Sequence, residues 1–399
     1  MRHRVTSFLG LRPEIVPMLF ATLVIGMGEE LWMRFVPKYL ELLGATAGAI
    51  AFYGAFKDLL DALYPYPGGW AADHFGRRLS LIGFTLLSAV GYLVYFGATH
   101  WVWVIAGTVL VMGWSSLTQP AIFALIGDQL AGHQRAIGFG VQSTVKRLPI
   151  IIAPPLGGWL VAHYGMGAGV RIGLVVSMAC ALASITILRR INSVPHPPAT
   201  RASLPQLWKG MNPGLKKLLV ADILARWAEG LPKVFIVLYV LDVLHQGSVR
   251  FGWLISVQMI VSLLSYIPAA KLADHLNRKP LVLATFLFFS LFPLMLVHAH
   301  TLPLLVIAFM VAGLREFGEP ARKSLIVDLA DAGARGRSVG IYYLVRGIAV
   351  FPAALVGGYL WKHSASLPFY VAFVVGLLSI AAYAVWGPGS EKTVKTLPA

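Results

Sequence analysis

The feature that most constrains this chain is a short polar hairpin that occurs twice. Gly69-Trp-Ala-Ala-Asp73-His-Phe-Gly76-Arg77-Arg78 lies between two long apolar stretches. About two hundred residues later, Ala270-Lys-Leu-Ala-Asp274-His-Leu-Asn277-Arg278-Lys279 occupies the same place between two more. The near-constant offset extends well beyond the hairpin. Gly113, Pro120 and Asp128 answer to Gly313, Pro320 and Asp328; Gly157 and Gly158 to Gly357 and Gly358; Glu29 and Tyr39 to Glu229 and Tyr239. Self-similarity in one direction along the chain predicts two parallel halves related by an axis along the membrane normal.

The bilayer is the solvent this repeat requires. Of the 399 residues 57% are hydrophobic and only 13% charged, about half the charge of an ordinary soluble domain. A crossing helix needs roughly 20 apolar residues. Stretches of that kind are expected at 14–40, 46–71, 79–99, 102–129, 136–162 and 168–188, then at 215–242, 249–273, 280–299, 302–330, 337–361 and 367–386. The fold class is therefore an all-α membrane protein with 12 transmembrane helices in two pseudo-symmetric six-helix bundles. The expected divisions are a bundle at 1–189, a basic, proline-rich cytoplasmic linker at 190–213 with a short amphipathic helix near 204–211, a second bundle at 214–387 and a cytoplasmic tail at 388–399.

The net charge of +16 does not signal nucleic acid. The basic residues sit in short connections (Arg2, Arg4, Arg12, Arg77, Arg78, Arg135, the linker, Arg278, Lys279, Arg335, Arg337, Lys392, Lys395) on one side of the predicted topology. By the positive-inside rule that side is cytoplasmic and holds both termini. A lone cysteine, Cys180, in an apolar run allows no disulfide within the chain. The basic start runs directly into the first span, so no removed signal peptide is expected. There is neither a GxxxxGK[ST] phosphate loop nor metal-ligand spacing among the histidines, and no cofactor is expected.

Charges inside the apolar spans are the candidate site. Span one carries Glu29, Glu30 and Arg34; span two, Lys57, Asp58 and Asp61; span five, Lys146 and Arg147. Span seven has Arg226, Glu229 and Lys233; span ten has Arg315, Glu316, Glu319, Arg322 and Lys323; span eleven has Arg346. A charge at the bilayer centre costs a few kcal/mol or more, so these side chains should face water or one another. Glu30–Arg34, Lys57–Asp61, Glu229–Lys233 and Arg315–Glu319 are spaced to pair along one helix face. Glu29 and Glu229, equivalent in the two halves, are the candidates for a titrating carboxylate. A small cationic surplus favours an anionic or zwitterionic substrate. The aromatics Trp32, Trp114, Tyr342 and Tyr343 are either stacking surfaces or packing, and Pro120 and Pro320 are expected to kink spans four and ten.

With these residues in view, the chain resembles the major facilitator superfamily over nearly its whole length. Gly69, Asp73, Gly76, Arg77 and Arg78 are similar to the family's signature between spans two and three; the second copy departs at Ala270 and Asn277. Ala153-Pro154-Pro155-Leu156-Gly157-Gly158 resembles the proline–glycine signature of the exporter branches, with Ala153 at the first glycine, and Val109 stands where those exporters carry an arginine in span four. The resemblance implies alternating access by two rocking halves, with the charged spans lining the cavity. It also implies a cytoplasmic gate in which Asp73 caps span eleven, Arg77 bridges to Asp128, and Asp274, Arg278 and Asp328 form the second copy.

The expected function is thus secondary active transport in the cell membrane, a bacterial inner membrane by type, with proton-coupled efflux of a small charged or amphipathic molecule by a monomer. A proton-coupled symporter for an organic anion, a carrier of lysolipid-like amphiphiles, a channel and a non-transporting sensor are the alternatives.

Overall fold

The computed structural model describes residues 15–130, 132–191, 208, 211–275, 278–330 and 335–388; the side chains at 127–128, 132–137, 267, 270–271, 273–275 and 335–337 are outside that description. Most of the expected linker and tail, and the side chains of Asp128 and Asp274, therefore lie outside the described residues. What is described is a helical membrane bundle, as a chain must be whose backbone has no water to bond in lipid.

Twelve crossings follow in order among the described residues. Span one is Ile15–Glu30 continued by Val36–Leu42, span two Ala47–Leu63 and Pro65–His74, span three Arg77–Phe96, and span four Trp101–Met112 and Gln119–Gln129. Spans five and six run without a loop through Gly132–Leu188 and are separated at Gly165, where φ is +82°. The second half repeats the series. Pro213–Gly230 continues into a helical turn at Ile236–Leu238, then come Ser248–His275, Arg278–His298, Leu302–Leu314 with Glu319–Asp328, Arg335–Val350 with Pro352–His363, and Leu367–Trp386. Eight stretches are long and apolar enough to cross on those grounds alone. One of them, Gly138–Leu188, contains two crossings. The crossings outside that set are spans two, seven and ten, each loaded with charge.

The repeat reappears as broken helices at matched positions along the chain. Span one breaks over Leu31–Phe35 and span seven over residues 231–235; span four opens into a wide π turn at Gly113–Leu117, and span ten is non-helical over residues 315–318. The breaks in spans four and ten are fastened by a neighbour, because freed amides in lipid need partners. Trp114 N donates to Ser88 Oγ (2.7 Å) and Gly318 N to Thr285 Oγ1 (2.6 Å), so span three serves span four as span nine serves span ten. The expected kinks at Pro120 and Pro320 take a different form. Each proline sits in the first turn of a helix that restarts after the break, where its missing N–H costs nothing.

By packing the chain divides into two compact units, and they do not follow the sequence halves. The first comprises Met1–Arg201, Lys233–Met259 and Phe351–Ala365; the second comprises Ala202–Pro232, Ile260–Val350 and Ser366–Ala399. Within the first unit, parts of spans seven, eight and eleven pack on the first-half helices at the end opposite the basic loops. Lys38 bridges Glu41 (2.7 Å) and Asp242 (2.6 Å). Phe35 meets Phe251 edge-on, and Phe235 stacks on Trp361. The glycine pairs explain how the helices come this close. A Cβ on Gly158 would collide with the Ser248 carbonyl of span eight, one on Gly157 with the Leu31 carbonyl at the break in span one, and one on Gly358 with Ala51 of span two. Small residues at such crossings let backbones touch.

Gly158→Leu is accordingly expected to force span five off span eight, at a cost of about 1–3 kcal/mol for overpacking. Zero-length carbodiimide coupling of Lys38 to Asp242, read by mass spectrometry of the digest, should fall sharply in that variant. Undiminished coupling would remove the role assigned to the glycine.

Candidate functional site

The charged residues separate into two sets with opposite character. In the first unit, Glu29 ends the first helical piece of span one and is 5% exposed. Its one hydrogen bond from a described side chain comes from Tyr92 Oη at 2.6 Å, on span three. No cation stands within ion-pair distance of it among the described residues. The surroundings are aromatic. Trp32 meets Tyr92 and Tyr95 edge-on, with ring centroids 5.9 and 5.5 Å away, and anchors its indole N–H on Ser177 Oγ at 2.8 Å. Trp32 and Trp114 are buried packing elements at the breaks, rather than open stacking surfaces.

Around Glu29 the other charges are only partly matched. Glu30 and Arg34 form the expected pair, a two-pronged contact of 2.8 and 3.1 Å. Lys57 and Asp61 do not pair; Asp61 accepts from Ser116 at the span-four break (2.6 Å), and Asp58 takes Lys233 (2.7 Å). Lys57 on span two is half-buried and Lys146 on span five exposed, and among the described residues neither has a carboxylate at ion-pair distance. Arg147 donates to Ser143 at 2.7 Å. Among the described residues this set thus holds one buried acid and two lysines that make no ion pair.

In the second unit the charges lock together. Its centre is Asp222 on span seven, fully buried and absent from the sequence-level candidates. Asp222 pairs with the buried Arg322 of span ten, accepts from Tyr342 Oη (2.9 Å) and Arg346 Nη1 (3.1 Å) of span eleven, and lies 3.9 Å from Arg226 Nε. Glu319 pairs with Arg322, Arg226 (3.6 Å) and Lys323 (3.5 Å). Glu229 holds Arg226 at 2.8 Å and Arg315 at 3.7 Å. The guanidinium groups of Arg226 and Arg315 also lie 5.0 and 5.4 Å from the Phe289 ring, and that of Arg346 lies 4.6 Å from the Tyr343 ring, geometries of cation–π attraction.

The expected Arg315–Glu319 pair is not formed. Residues 315–318 are non-helical, so four-residue spacing no longer places the two on one face. Glu316, half-buried, lies in the same break. Glu229 and Lys233 belong to different units, so their pairing stays an expectation.

The cytoplasmic hairpin positions its charges with its own backbone. Gly76, at φ +84°, turns the chain into span three, a conformation a side chain would strain. Arg77, nearly buried, then reaches back to Asp73 Oδ1 (2.6 Å) and the Ala72 carbonyl (2.8 Å). Arg78 is half-buried. Gly68, rather than its neighbour Gly69, has no room for a Cβ, because the Leu117 carbonyl lies against it; a Cβ on Gly69 would make an ordinary 3.6 Å contact with Pro120. In the second copy Arg278 pairs with Asp328. Asp128 and Asp274 are outside the described side chains, so the bridge from Arg77 to Asp128 stays an expectation.

Comparison with known proteins agrees with this architecture. A family model described as Major Facilitator Superfamily matches residues 18–241 and again 218–399. The chain is 24% identical over 357 residues to the multidrug resistance protein MdtH of Aeromonas hydrophila, covering 86% of this chain and 87% of that one. It is 24% identical over 362 residues to the multidrug resistance protein MdtG of Klebsiella pneumoniae, covering 88% and 86%. Among solved structures, a D-xylose–proton symporter superposes with a TM-score of 0.76 at 14% identity, over 94% of this chain and 98% of that one, a likeness of fold. The duplicated bundle, its matched helix breaks and the family match lead to one conclusion: the chain is a multi-pass membrane transporter belonging to the major facilitator superfamily.

Proposed function

We propose that the protein is a proton-coupled exporter of small charged or amphipathic molecules, working by alternating access in a bacterial inner membrane with both termini in the cytoplasm. The observation that carries this reading is Glu29. A carboxylate buried beside tyrosine and tryptophan with no cation at ion-pair distance among the described residues is costly to keep ionised, and protonation lowers that cost. Such a group exchanges a proton whenever a conformational change alternately wets and dries it. Asp222, equally buried, is clamped by cations and suits a fixed structural charge. The relatives' names, multidrug resistance proteins, support efflux as the direction.

Lys57 and Lys146 are the substrate-facing cations in this reading. Charges held out of ion-pair contact in a membrane span are retained at a cost, which an anionic or zwitterionic cargo offsets when it binds. A thermal-shift screen of the purified protein against metabolites and antimicrobials identifies a cargo. Counterflow and substrate-driven proton movement in proteoliposomes then test coupling and its sign. Inward movement of cargo together with protons would replace export by symport, and unitary currents would replace both by a channel.

The gate is the second part of the reading. Asp73 and Arg77 on one hairpin, and Arg278 of its repeat with Asp328 at the end of span ten, form acid–base contacts of a few kcal/mol at a half-wetted surface, a size that cargo binding can overturn. Asp73→Asn is expected to abolish transport while folding and membrane insertion stay normal, as judged by size-exclusion profile and counterflow rate. Wild-type transport by this variant would remove the latch.

A further inference from the structure

An apolar groove on the lipid-facing side of the first unit has one cation at its edge and no acid to match it. The groove encloses about 490 Å³ between the ends of spans one, three and six, lined by Leu42, Leu43, Phe96, Ile172 and Val175 together with Arg171. Leu42, Phe96 and Val175 are 58%, 41% and 48% exposed, so the lining opens to the surroundings of the bundle. In a membrane those surroundings are acyl chains.

Arg171 makes the groove more than a dent. It lies six residues beyond the Gly165 break, about 9 Å of helix rise below the turn. At that depth an arginine keeps its head in the headgroup layer by extending along the apolar surface. One terminal nitrogen donates to the Ala98 carbonyl at 3.3 Å. Its Nε is buried with no hydrogen-bond partner, and no carboxylate stands within ion-pair distance among the described residues. Arg171 is also one of few basic residues at the end of the bundle opposite the basic loops. A guanidinium presents a planar fork that matches phosphate oxygens.

From this juxtaposition we infer that the groove binds an anionic phospholipid of the outer leaflet, its phosphate on Arg171 and one acyl chain along Leu42, Leu43, Ile172 and Val175. An anionic headgroup is favoured over a zwitterionic one because the site supplies a positive charge and no carboxylate to receive an ammonium. The bound chain would rest on Leu42 and Leu43, which follow Lys38 and Glu41 of the outer contacts, so the lipid sits beside a segment that alternating access must move.

Native mass spectrometry of the full chain, delipidated and titrated with phosphatidylglycerol or phosphatidylethanolamine, tests this. The wild type should retain one phosphatidylglycerol through activation that strips phosphatidylethanolamine. Arg171→Gln should lower phosphatidylglycerol retention about tenfold, the loss expected of one charge-assisted contact. Ala168→Trp, which fills the groove and leaves Arg171 in place, should lower it as well. An unchanged melting profile in both variants separates the effect from misfolding. Equal retention of the two lipids by the wild type, or undiminished phosphatidylglycerol retention in Arg171→Gln, would overturn the assignment.

Discussion

Replacing Glu29 by glutamine is expected to abolish proton-driven transport while leaving a folded protein that still exchanges its cargo. Glutamine is close in size to the carboxyl group, and its amide oxygen can accept the Tyr92 hydroxyl that now bonds Glu29 Oε1 at 2.6 Å. It cannot change charge. A site frozen in its neutral form still satisfies Tyr92, so the aromatic shelf of Trp32, Tyr92 and Tyr95 should survive. In proteoliposomes with an imposed pH gradient, uphill accumulation of the cargo found by thermal shift should disappear. Counterflow, which needs no net proton movement, should persist.

The comparison with Glu229→Gln decides between the two acids. Glu229 is the repeat's counterpart of Glu29, yet its oxygens are taken by Arg226 and Arg315. Removing its charge leaves two guanidinium groups short of a partner, so that variant should lose stability before it loses coupling. Should Glu29→Gln still drive accumulation with the gradient, the proton site lies elsewhere. Should it lose counterflow as well, Glu29 binds cargo and coupling is a consequence.

How much of this was legible in the chain depends on the range of the interaction. The spans were readable because the bilayer imposes a length and an apolar composition on each. Glu30–Arg34 was readable because both residues lie on one short segment of span one. The helix breaks were not. Pro37, Pro120 and Pro320 stand in the first turn after three of the breaks and signal only a kink, while the contacts that hold the breaks come from Ser88, Ser177 and Thr285 on other helices. Asp222 was missed for a similar reason. The repeat places Thr22 at its counterpart, so symmetry gave no signal, and its ion-pair partners on spans ten and eleven lie 100 and 124 residues away. The Arg226 four residues on was the one local hint.

The same asymmetry makes Asp222 the position of largest expected effect on stability. Asp222→Ala removes the described carboxylate that Arg346 contacts and one of the two that Arg322 contacts, Glu319 being the other. It also strands the Tyr342 hydroxyl. Breaking a buried pair from one side costs about 3–5 kcal/mol, because the remaining charge stays buried without compensation. The detergent-purified variant should therefore unfold at a markedly lower temperature, compared at a fixed scan rate because membrane-protein unfolding is a kinetic quantity. The converse change is the sharper test. Asp222→Asn combined with Arg322→Gln replaces the ion pair by two neutral amides, and removing a buried pair from both sides leaves less uncompensated charge than removing it from one. The double variant should therefore recover much of the loss seen in either single one, with an interaction term well above the 0.3–0.5 kcal/mol scatter of independent sites. Simple additivity would mean that Asp222 and Arg322 act separately, and that spans seven and ten are held together by the apolar contacts of Leu218, Leu325 and Ile326 instead.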